Sequence, residues 1–443
     1  MLSSVEQVVA GNRVGKVRYG IVALLFVVTV INYADRAALA IAGPLITQSL
    51  GINAIELGFV FSAFGWAYLI AQIPGGRLLD RFGSKKIYFW SILLWSVFTL
   101  LQGGVMHFGA AMAVYLLFIL RLLVGGMEAP SLPANARIVA AWFPTRERGT
   151  ATAIFNSAQY FATVLFAPFM AWIAHLLGWE AIFYVMGSIG IVGSLFWLVV
   201  MHAPTHHPHI TSAELDYIRK GGGQVEMDSA PKADKVVGTS VWQDACFLLR
   251  HRMMLGIFLG QYAISTLTYF FLTWFPVYLV QQRGMSILQA GLVASIPAIF
   301  GFFGGLFGGM LSDRLLRNGK SLSVARKTPI VLGMMLSMSM LVCNYVNTEW
   351  IIVAVMALAF MGKGIGALGW AVMSDTVPLR IAGFSGGLFN MFGNISSIVT
   401  PIAIGYIIQT TGSFNGALVF VSANAALAIF AYLFVVGEIK RLH

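Results

Sequence analysis

The feature that most constrains this chain is a series of apolar stretches, each about 20 residues long. A helix of that length rises about 30 Å, which matches the thickness of the hydrocarbon core of a bilayer. Such windows predict twelve membrane spans, over residues 19–43, 56–79, 87–106, 108–129, 150–172, 181–202, 254–280, 287–311, 328–346, 350–374, 384–408 and 415–437. We therefore expect an all-α membrane protein, because lipid cannot satisfy the exposed backbone groups of open sheets or loops.

The composition agrees with this prediction. Only 10% of the residues are charged and 58% are hydrophobic, whereas a soluble globular protein carries about 25% charged residues. That deficit argues against a soluble enzyme, a disordered chain and a nucleic-acid-binding protein. The two cysteines, Cys246 and Cys343, are too few for a disulfide framework or a metal site by themselves, and we expect both to stay reduced.

The basic residues indicate how the chain is oriented in the membrane. With both termini on one side, 24 of the 28 Lys and Arg residues fall in the tails and loops of that side. Arg283 lies on the other side, and three more lie inside spans. Cytoplasmic loops carry the excess of positive charge in membrane proteins. The sequence therefore predicts that both termini and the loop 203–253 are cytoplasmic.

An internal repeat divides the chain into two related halves. The string GRLLDR at 76–81 recurs as GMLSDR at 309–314, and Pro144–Gly149 recurs as Pro378–Gly383. The two offsets, 233 and 234, agree within one residue. We predict a six-helix bundle over 1–202, a flexible cytoplasmic linker over 203–253 and a second six-helix bundle over 254–443. Transporters built from such repeats carry their site at the midplane between the halves.

Several motifs resemble those of known transporters. The spacing Gly76-x-x-x-Asp80-Arg81-x-Gly83-x-Lys85-Lys86 resembles the loop 2–3 motif of the major facilitator superfamily. The strings NYADR at 32–36 and FSAFGWAY at 61–68 resemble its anion:cation symporter family. RIVAAWFP at 137–144, FNSAQY at 155–160 and GKG at 362–364 are similar to bacterial glucarate/galactarate transporters.

The resemblance covers nearly the whole chain and has several implications. It implies the major facilitator fold of two pseudo-symmetric six-helix bundles in the inner membrane of a bacterium. It also implies uptake of an organic anion coupled to protons, by alternating access. Its partners would then be a small anionic substrate, protons and the lipid bilayer, and nothing in the sequence signals more than a monomer.

Five ionisable side chains lie inside the predicted spans: Asp35, Arg36, Arg121, Glu128 and Lys363. Each costs roughly 2.5–3.5 kcal/mol at mid-bilayer on insertion scales, so such residues are candidates for function. Arg121 and Glu128 are seven residues apart and therefore share a face of the fourth span. They could form a structural ion pair or take part in coupling, and the sequence leaves both open.

Two of these cations suggest the kind of ligand. The planar guanidinium of Arg36 can make two parallel hydrogen bonds to one carboxylate. Lys363 lies in the other half of the molecule. One cation from each half predicts a ligand with two negative ends, which agrees with the sugar diacids of the resembling transporters.

Neutral polar side chains at helical spacing fit a polyhydroxylated ligand, although each stripe could instead join two helices. The resemblance favours Tyr33, Arg36, Tyr68, Gln159, Gln261 and Asn390 as substrate contacts. Trp370 follows Lys363 by seven residues, so we expect both on one face, where Trp370 either stacks on the substrate or packs within the protein.

Proton coupling requires groups that can carry protons across the membrane. An anion entering a negatively charged cell works against about 2.3 kcal/mol per charge per 100 mV, and co-transported protons cancel that charge. Asp35 and Glu128 are the only acids well inside the predicted spans. We hypothesise that both carry protons and that Arg121 modulates the proton affinity of Glu128.

The remaining charged motifs suggest a gate. Asp80 and Arg81, with Asp313 and Arg314 in the second half, can pair with neighbouring helix ends and hold the cytoplasmic side shut, with Arg380 as a further candidate. Ordinary solvated loop charge is the alternative.

The functional alternatives are limited. No nucleotide-binding loop, zinc-ligand spacing or serine-nucleophile motif occurs, so we expect no cofactor, no metal and no enzyme activity. A transporter of a sugar monoacid such as galactonate, or an exchanger or facilitator without proton coupling, remains open.

Overall fold

The computed structural model describes residues 15–226, 241–378 and 381–442. Over these ranges the chain forms helices and no strand, which confirms the all-α prediction. Eleven helical segments are long and apolar enough to cross a membrane. A further helix of 19 residues, Ser84–Gln102, packs among them and brings the spans to twelve. Arg380 and residues 227–240 of the predicted linker lie outside the described residues.

The helices follow one another with short connections. In chain order they are α1 (Val17–Leu50), α2 (Ala54–Phe82), α3 (Ser84–Gln102), α4 (Ala110–Glu128), α5 (Ser131–Trp142), α6 (Arg148–Leu177), α7 (Trp179–Val200), α8 (Ser212–Lys220), α9 (Val241–Arg250), α10 (Arg252–Tyr269), α11 (Phe275–Gln281), α12 (Ile287–Arg317), α13 (Leu322–Ser337), α14 (Glu349–Ile365), α15 (Gly369–Thr376), α16 (Ala382–Thr411) and α17 (Asn415–Phe430).

Several spans consist of more than one helical piece. The fourth span is α4 followed by α5, and the tenth is α14 followed by α15. The seventh is α10 and α11 joined by a π-helical segment, Phe270–Trp274. Breaks of this kind free backbone groups inside the membrane region, which is tolerated where the helix lies against protein or a polar cavity. We therefore expect a polar binding site to lie along the interrupted spans.

The two halves meet along three helix pairs: α2 with α16, α6 with α12, and α1 with α11. Glycines allow the close approach. The Cα of Gly58 faces the backbone carbonyl of Pro401, and that of Gly291 faces Ala167 and Ala171, so a Cβ at either glycine would overlap its neighbour. Small residues at such contacts let helix backbones pack directly.

The contact between the halves is tight on one side of the bundle only. We call the face that carries both chain ends the terminal face, and the other the opposite face. The residues on the face of α6 that is turned towards α12 pack against that helix from Tyr160 to Ala171. Further along the same face, Gly149, Ala153 and Asn156 are exposed. At the opposite face the amide of Ala54 donates to the side chain of Gln409 at 3.3 Å, across the halves. The central space is therefore closed at the opposite face and opens towards the terminal face.

The first part of the predicted linker is folded onto the terminal face of the N-terminal half. The buried carboxylate of Glu214 in α8 accepts hydrogen bonds from the backbone N–H groups of Val17 and Arg18, each at 3.1 Å, and from the Arg18 guanidinium at 3.2 Å. Ile218 and Val225 are buried in the apolar core below. Residues 204–226 thus differ from the flexible linker that their composition predicts, because these buried groups hold them down.

A second carboxylate completes this contact. Arg18 Nε lies 3.0 Å from Glu147 Oε2, and the Tyr217 hydroxyl donates to Glu147 Oε1 at 2.6 Å. Partial burial alone would raise the pKa of the Glu147 carboxyl, but these hydrogen bonds and the positive charge of Arg18 outweigh it and hold that pKa below its ordinary value. Glu147 therefore stays ionised and holds Arg18 together with Glu214.

We expect Glu214→Ala to destabilise the protein. The substitution leaves two backbone N–H groups at the start of α1 without an acceptor and removes a buried partner of Arg18, which together cost about 3 kcal/mol. Thermal unfolding of the purified protein should show a melting temperature lower by about 5 °C. Asp216→Ala, which removes an exposed acid of the same helix, serves as the control. Equal melting temperatures for the two variants would contradict a holding role for Glu214.

Candidate substrate-binding site

Arg36 lies at the centre of α1, where it is 7% exposed. Its guanidinium carbon lies 4.9 Å from the ring centroid of Tyr33, 4.6 Å from that of Phe64 and 4.9 Å from that of Tyr68. Its Nε donates to Glu128 Oε2 at 2.8 Å. Three aromatic faces and one carboxylate therefore hold this cation, and its Nη2 has no hydrogen-bond partner among the described residues.

The fourth span passes from α4 to α5 beside the ion pair between Arg36 and Glu128. Helix α4 ends at Glu128, and α5 begins at Ser131, whose hydroxyl donates to the Glu128 carbonyl oxygen at 2.6 Å. Pro130 lies in the break. Glu128 is therefore the last residue of α4, and its carboxylate reaches α1.

Arg121 has other partners. It donates to the backbone carbonyl oxygens of Asp35 at 3.3 Å and of Arg36 at 3.5 Å. Arg121 and Glu128 are both buried on α4, as their spacing predicts. Arg121 binds the backbone of α1, whereas Glu128 pairs with the side chain of Arg36. This arrangement connects the four ionisable residues that lie inside the predicted spans of the N-terminal half, namely Asp35, Arg36, Arg121 and Glu128.

Asp35 is fully buried, and neither of its carboxyl oxygens has a hydrogen-bond partner in the described part of the chain. An isolated carboxylate ion in such a place costs many kcal/mol, whereas a neutral carboxyl group costs far less. Asp35 is therefore suited to hold a proton. It neighbours Arg36 in sequence but points away from the guanidinium, as adjacent helical residues do.

Lys363 lies near the end of α14 and is 6% exposed. Its Nζ lies 5.2 Å from the ring centroid of Phe360 and 5.7 Å from that of Tyr160 in the N-terminal half. Within the described ranges no carboxylate pairs with it. The next residue, Gly364, packs directly against the backbone of Gly301 in α12. This contact fixes the position of Lys363 along the axis of α12.

A cavity lies between the halves and is lined by residues of both. Arg36 lies against the ring of Tyr33, and Lys363 lies against the rings of Tyr160 and Phe360; all three rings line the cavity. Gln159, Thr163 and Thr268 contribute polar groups to its wall. One central space is thus lined by aromatic residues that contact the two predicted cations, one from each half, while Arg36 and Lys363 themselves lie behind these rings.

A smaller cavity is lined by Arg36 and Arg121. Tyr269, Thr273 and Ser397 of the C-terminal half also line it. The Tyr269 hydroxyl donates to Asn394 Oδ1 at 2.7 Å, and Asn394 Nδ2 donates to the carbonyl oxygen of Asn390 at 2.9 Å. Tyr269 is not among the predicted substrate contacts, although in the sequence it directly follows the helically spaced polar residues Gln261, Ser265 and Thr268 of the seventh span.

The other predicted contacts occupy different environments. Tyr68 is buried and stacks on Phe64 at 5.2 Å. Gln261 Nε2 donates to Ser265 Oγ at 3.3 Å. Trp370 is 56% exposed and meets Phe389 edge-on at 5.0 Å. The tenth span is interrupted between Ile365 and Gly369, so the seven-residue spacing from Lys363 does not by itself place the two side chains on one face.

The predicted gate residues lie at the terminal face. Asp80 pairs with Arg137, joining α2 to α5. Arg326 Nη1 lies 4.0 Å from Asp313, and its Nε lies 2.8 Å from Asp375, which joins α12, α13 and α15. Arg81 lies over the ring of Phe82 at 5.2 Å, and Arg314 is exposed. Each of these ion pairs connects helices of one half, so in this conformation they brace the halves separately.

Comparison with known proteins gives a consistent result. The sequence model described as Major Facilitator Superfamily matches residues 25–401. The chain is 61% identical over 425 residues to a probable galactarate/D-glucarate transporter of Escherichia coli K12, covering 96% of this chain and 94% of the relative. It is 41% identical over 430 residues to a D-galactonate transporter of Escherichia coli O6:H1, covering 97% of each.

Solved structures agree on the fold. A bacterial homologue of the human lysosomal transporter Spinster, in an inward-facing and occupied conformation, superposes with a TM-score of 0.70. The match covers 94% of this chain and 96% of the other, at 15% sequence identity. A D-xylose–proton symporter superposes with a TM-score of 0.67 at 13% identity, covering 95% of this chain and 98% of the other. Similarity at this level concerns the fold alone.

Proposed function

This chain belongs to the major facilitator superfamily and is a multi-pass membrane transporter, not an enzyme, and on that premise we propose that it imports a hexarate sugar diacid together with protons by alternating access. Galactarate and D-glucarate are the proposed substrates. The names of relatives that are 55–61% identical support this substrate class. The site supplies the physical argument.

The observation that carries the proposal is the pair of buried cations around one cavity. Arg36 comes from the N-terminal half and Lys363 from the C-terminal half, and each lies against an aromatic ring that lines the cavity. Burying two positive charges is unfavourable unless negative charge compensates them. Lys363 has no carboxylate partner among the residues that the structure describes, so an anionic ligand is the natural counter-charge.

The cavity wall fits the rest of such a ligand. Gln159, Thr163 and Thr268 offer hydrogen-bond donors and acceptors in the wall of this cavity. The hydroxyl groups of a sugar acid lose their water on entering the site, and these side chains can replace it. An apolar dicarboxylate would leave the same groups without partners.

Coupling to protons follows from competition for Arg36. Glu128 occupies the guanidinium with a 2.8 Å hydrogen bond, and a substrate carboxylate would bind the same group. A proton on Glu128 removes its negative charge and releases Arg36 to the substrate. Asp35, buried without a partner among the described residues, is proposed to carry a second proton, and two protons neutralise a dianion.

Arg121 is proposed to maintain this arrangement. It contacts the backbone of α1 at both Asp35 and Arg36, so it can transmit a change at one acid to the other. Its positive charge also favours the ionised form of nearby carboxylates. Arg121 therefore resets the acids after the substrate has left.

The terminal face is proposed to be cytoplasmic, in the inner membrane of a bacterium, because most of the basic residues lie there. The conformation described is then open to the cytoplasm. In the opposite conformation, Asp80, Arg81, Asp313 and Arg314 would contact helix ends of the other half and close this face.

A sugar monoacid is the second candidate, since a relative that is 41% identical is named a D-galactonate transporter. Lys363 distinguishes the two, because only a diacid has a carboxylate for each cation. We expect Lys363→Ala to weaken binding of galactarate and D-glucarate by about 10- to 100-fold, the value of a hydrogen bond between charged groups. Binding of D-galactonate should change by less than about twofold.

Isothermal titration of the purified protein with the three sugar acids measures this difference. Lys320→Ala, which removes an exposed lysine of the terminal face, is the matched control. Equal losses for diacids and monoacid in Lys363→Ala would remove Lys363 as the anchor of a second carboxylate and would favour the monoacid.

A further inference from the structure

One aromatic side chain connects the second cation to the other half of the molecule. Tyr160 belongs to α6 of the N-terminal half, and its ring centroid lies 5.7 Å from Nζ of Lys363. We propose that Tyr160 is a positioning residue, which holds the ammonium group of Lys363 at the cavity wall and thereby sets the preference for diacids over monoacids. This inference rests on the proposed function.

Lys363 needs such a partner because its side chain has a flexible four-carbon stem. Phe360, the other ring beside its ammonium, precedes it by one helical turn on the same helix. Phe360 therefore moves with Lys363 and cannot fix it relative to anything else. Tyr160 is the ring that ties the ammonium group to the N-terminal half.

The ring of Tyr160 is itself held in place. Its centroid lies 6.2 Å from that of Phe302 and 6.3 Å from that of Phe360. Gly301 provides the space for this cluster, since a Cβ there would lie 2.6 Å from Phe360 and 3.1 Å from Tyr160. Tyr160 therefore presents a fixed aromatic face to Lys363, while another part of its side chain lines the cavity.

This contact has a consequence for the length of the ligand. Arg36 and Tyr160 lie in the same half, so the distance between them does not change when the halves move as bodies. If Tyr160 holds the Lys363 ammonium, the spacing of the two cations is set within the N-terminal half. A diacid of matching length then meets both cations, whereas a monoacid depends on Arg36 alone.

The test compares Tyr160→Leu, which removes the ring, with Tyr160→Phe, which keeps it. Isothermal titration of the full-length protein with galactarate and with D-galactonate gives the ratio of the two affinities. We expect Tyr160→Leu to weaken galactarate binding about tenfold and D-galactonate binding less than twofold, and Tyr160→Phe to keep the ratio of the unmodified protein. Tyr160→Gln is a second ring-free variant, in case Tyr160→Leu cannot be purified.

A double-mutant cycle separates positioning from packing. In a Lys363→Ala background, Tyr160→Leu should cause no further loss of galactarate affinity, because the residue it positions is absent. Phe307→Leu, which removes an exposed ring of α12 outside this cluster, should leave the ratio unchanged. Additive losses in the cycle, or equal losses of galactarate and D-galactonate in Tyr160→Leu, would overturn the inference.

The two proposals fail in different ways. If Lys363→Ala weakens both ligands equally, the proposed second carboxylate is wrong and the inference falls with it. If Lys363→Ala weakens galactarate alone while Tyr160→Leu leaves the affinity ratio unchanged, the proposed function stands and only the role of Tyr160 is refuted.

Discussion

Arg36→Ala is expected to lower substrate affinity by at least about 100-fold and to stop measurable uptake. The substitution removes the guanidinium that would bind a carboxylate. It also leaves the Glu128 carboxylate buried without the Nε group that donates to it at 2.8 Å in the unmodified protein. Losing one member of a buried ion pair costs about 3–5 kcal/mol, so the protein should also become less stable. Substrate binding by titration, uptake into proteoliposomes and thermal unfolding measure the three effects.

A second substitution separates binding from folding. Arg36→Ala combined with Glu128→Gln removes both charges, so it should regain most of the lost stability without regaining uptake. Arg36→Lys keeps the charge but loses the planar fork, and should bind substrate with an intermediate affinity. Uptake by the double variant at the rate of the unmodified protein would show that Arg36 is structural and not part of the substrate site.

Glu128→Gln is expected to lower proton-driven accumulation about tenfold per pH unit of gradient while leaving substrate exchange intact. Glutamine cannot ionise and so does not compete as an anion for Arg36. Each proton carried down a gradient of one pH unit supplies about 1.4 kcal/mol, which corresponds to about tenfold accumulation. Proteoliposomes with an imposed gradient of about one pH unit should therefore concentrate substrate about tenfold less with Glu128→Gln than with the unmodified protein. Asp35→Asn should behave similarly.

The same competition predicts a dependence of binding on pH. As the pH rises, Glu128 gives up its proton and pairs with Arg36, so substrate affinity of the unmodified protein should fall. In Glu128→Gln the affinity should change much less with pH. Asp216→Asn, an exposed acid of α8, serves as the control in both assays. Unchanged accumulation under a pH gradient in both Glu128→Gln and Asp35→Asn would refute the coupling hypothesis.

The partners within the site depend on where helices end. Glu128 and Arg121 share a helix, and their spacing correctly indicates a common face, but α4 ends at Glu128 and its carboxylate pairs with Arg36 of α1 instead. The tenth span is likewise interrupted before Gly369, so helical spacing from Lys363 does not fix the direction of Trp370. Helical spacing identifies neighbours only along an unbroken helix, and both breaks occur at positions where the chain remains apolar.

The folded linker illustrates a second limit. Residues 204–226 are polar and contain three consecutive glycines, a composition typical of flexible segments. Glu214 and Ile218 nevertheless become buried against the start of α1 and the core of the N-terminal half. Long-range contacts of this kind overcome the local preference, and composition alone does not reveal them.

The number of spans, the division into two halves and the identity of the charged residues inside them could all be read from the amino-acid order. These properties follow from hydropathy, segment length and sequence repetition. Hydropathy and length decide whether a segment can span the bilayer, and both can be taken from the sequence of that segment alone. The folded chain was needed to show that Arg36 pairs with Glu128, that Arg121 binds backbone, and that Lys363 lies between Phe360 and Tyr160. Such pairings depend on helix breaks and on contacts between residues more than 80 positions apart, where distance in space is unrelated to distance along the chain.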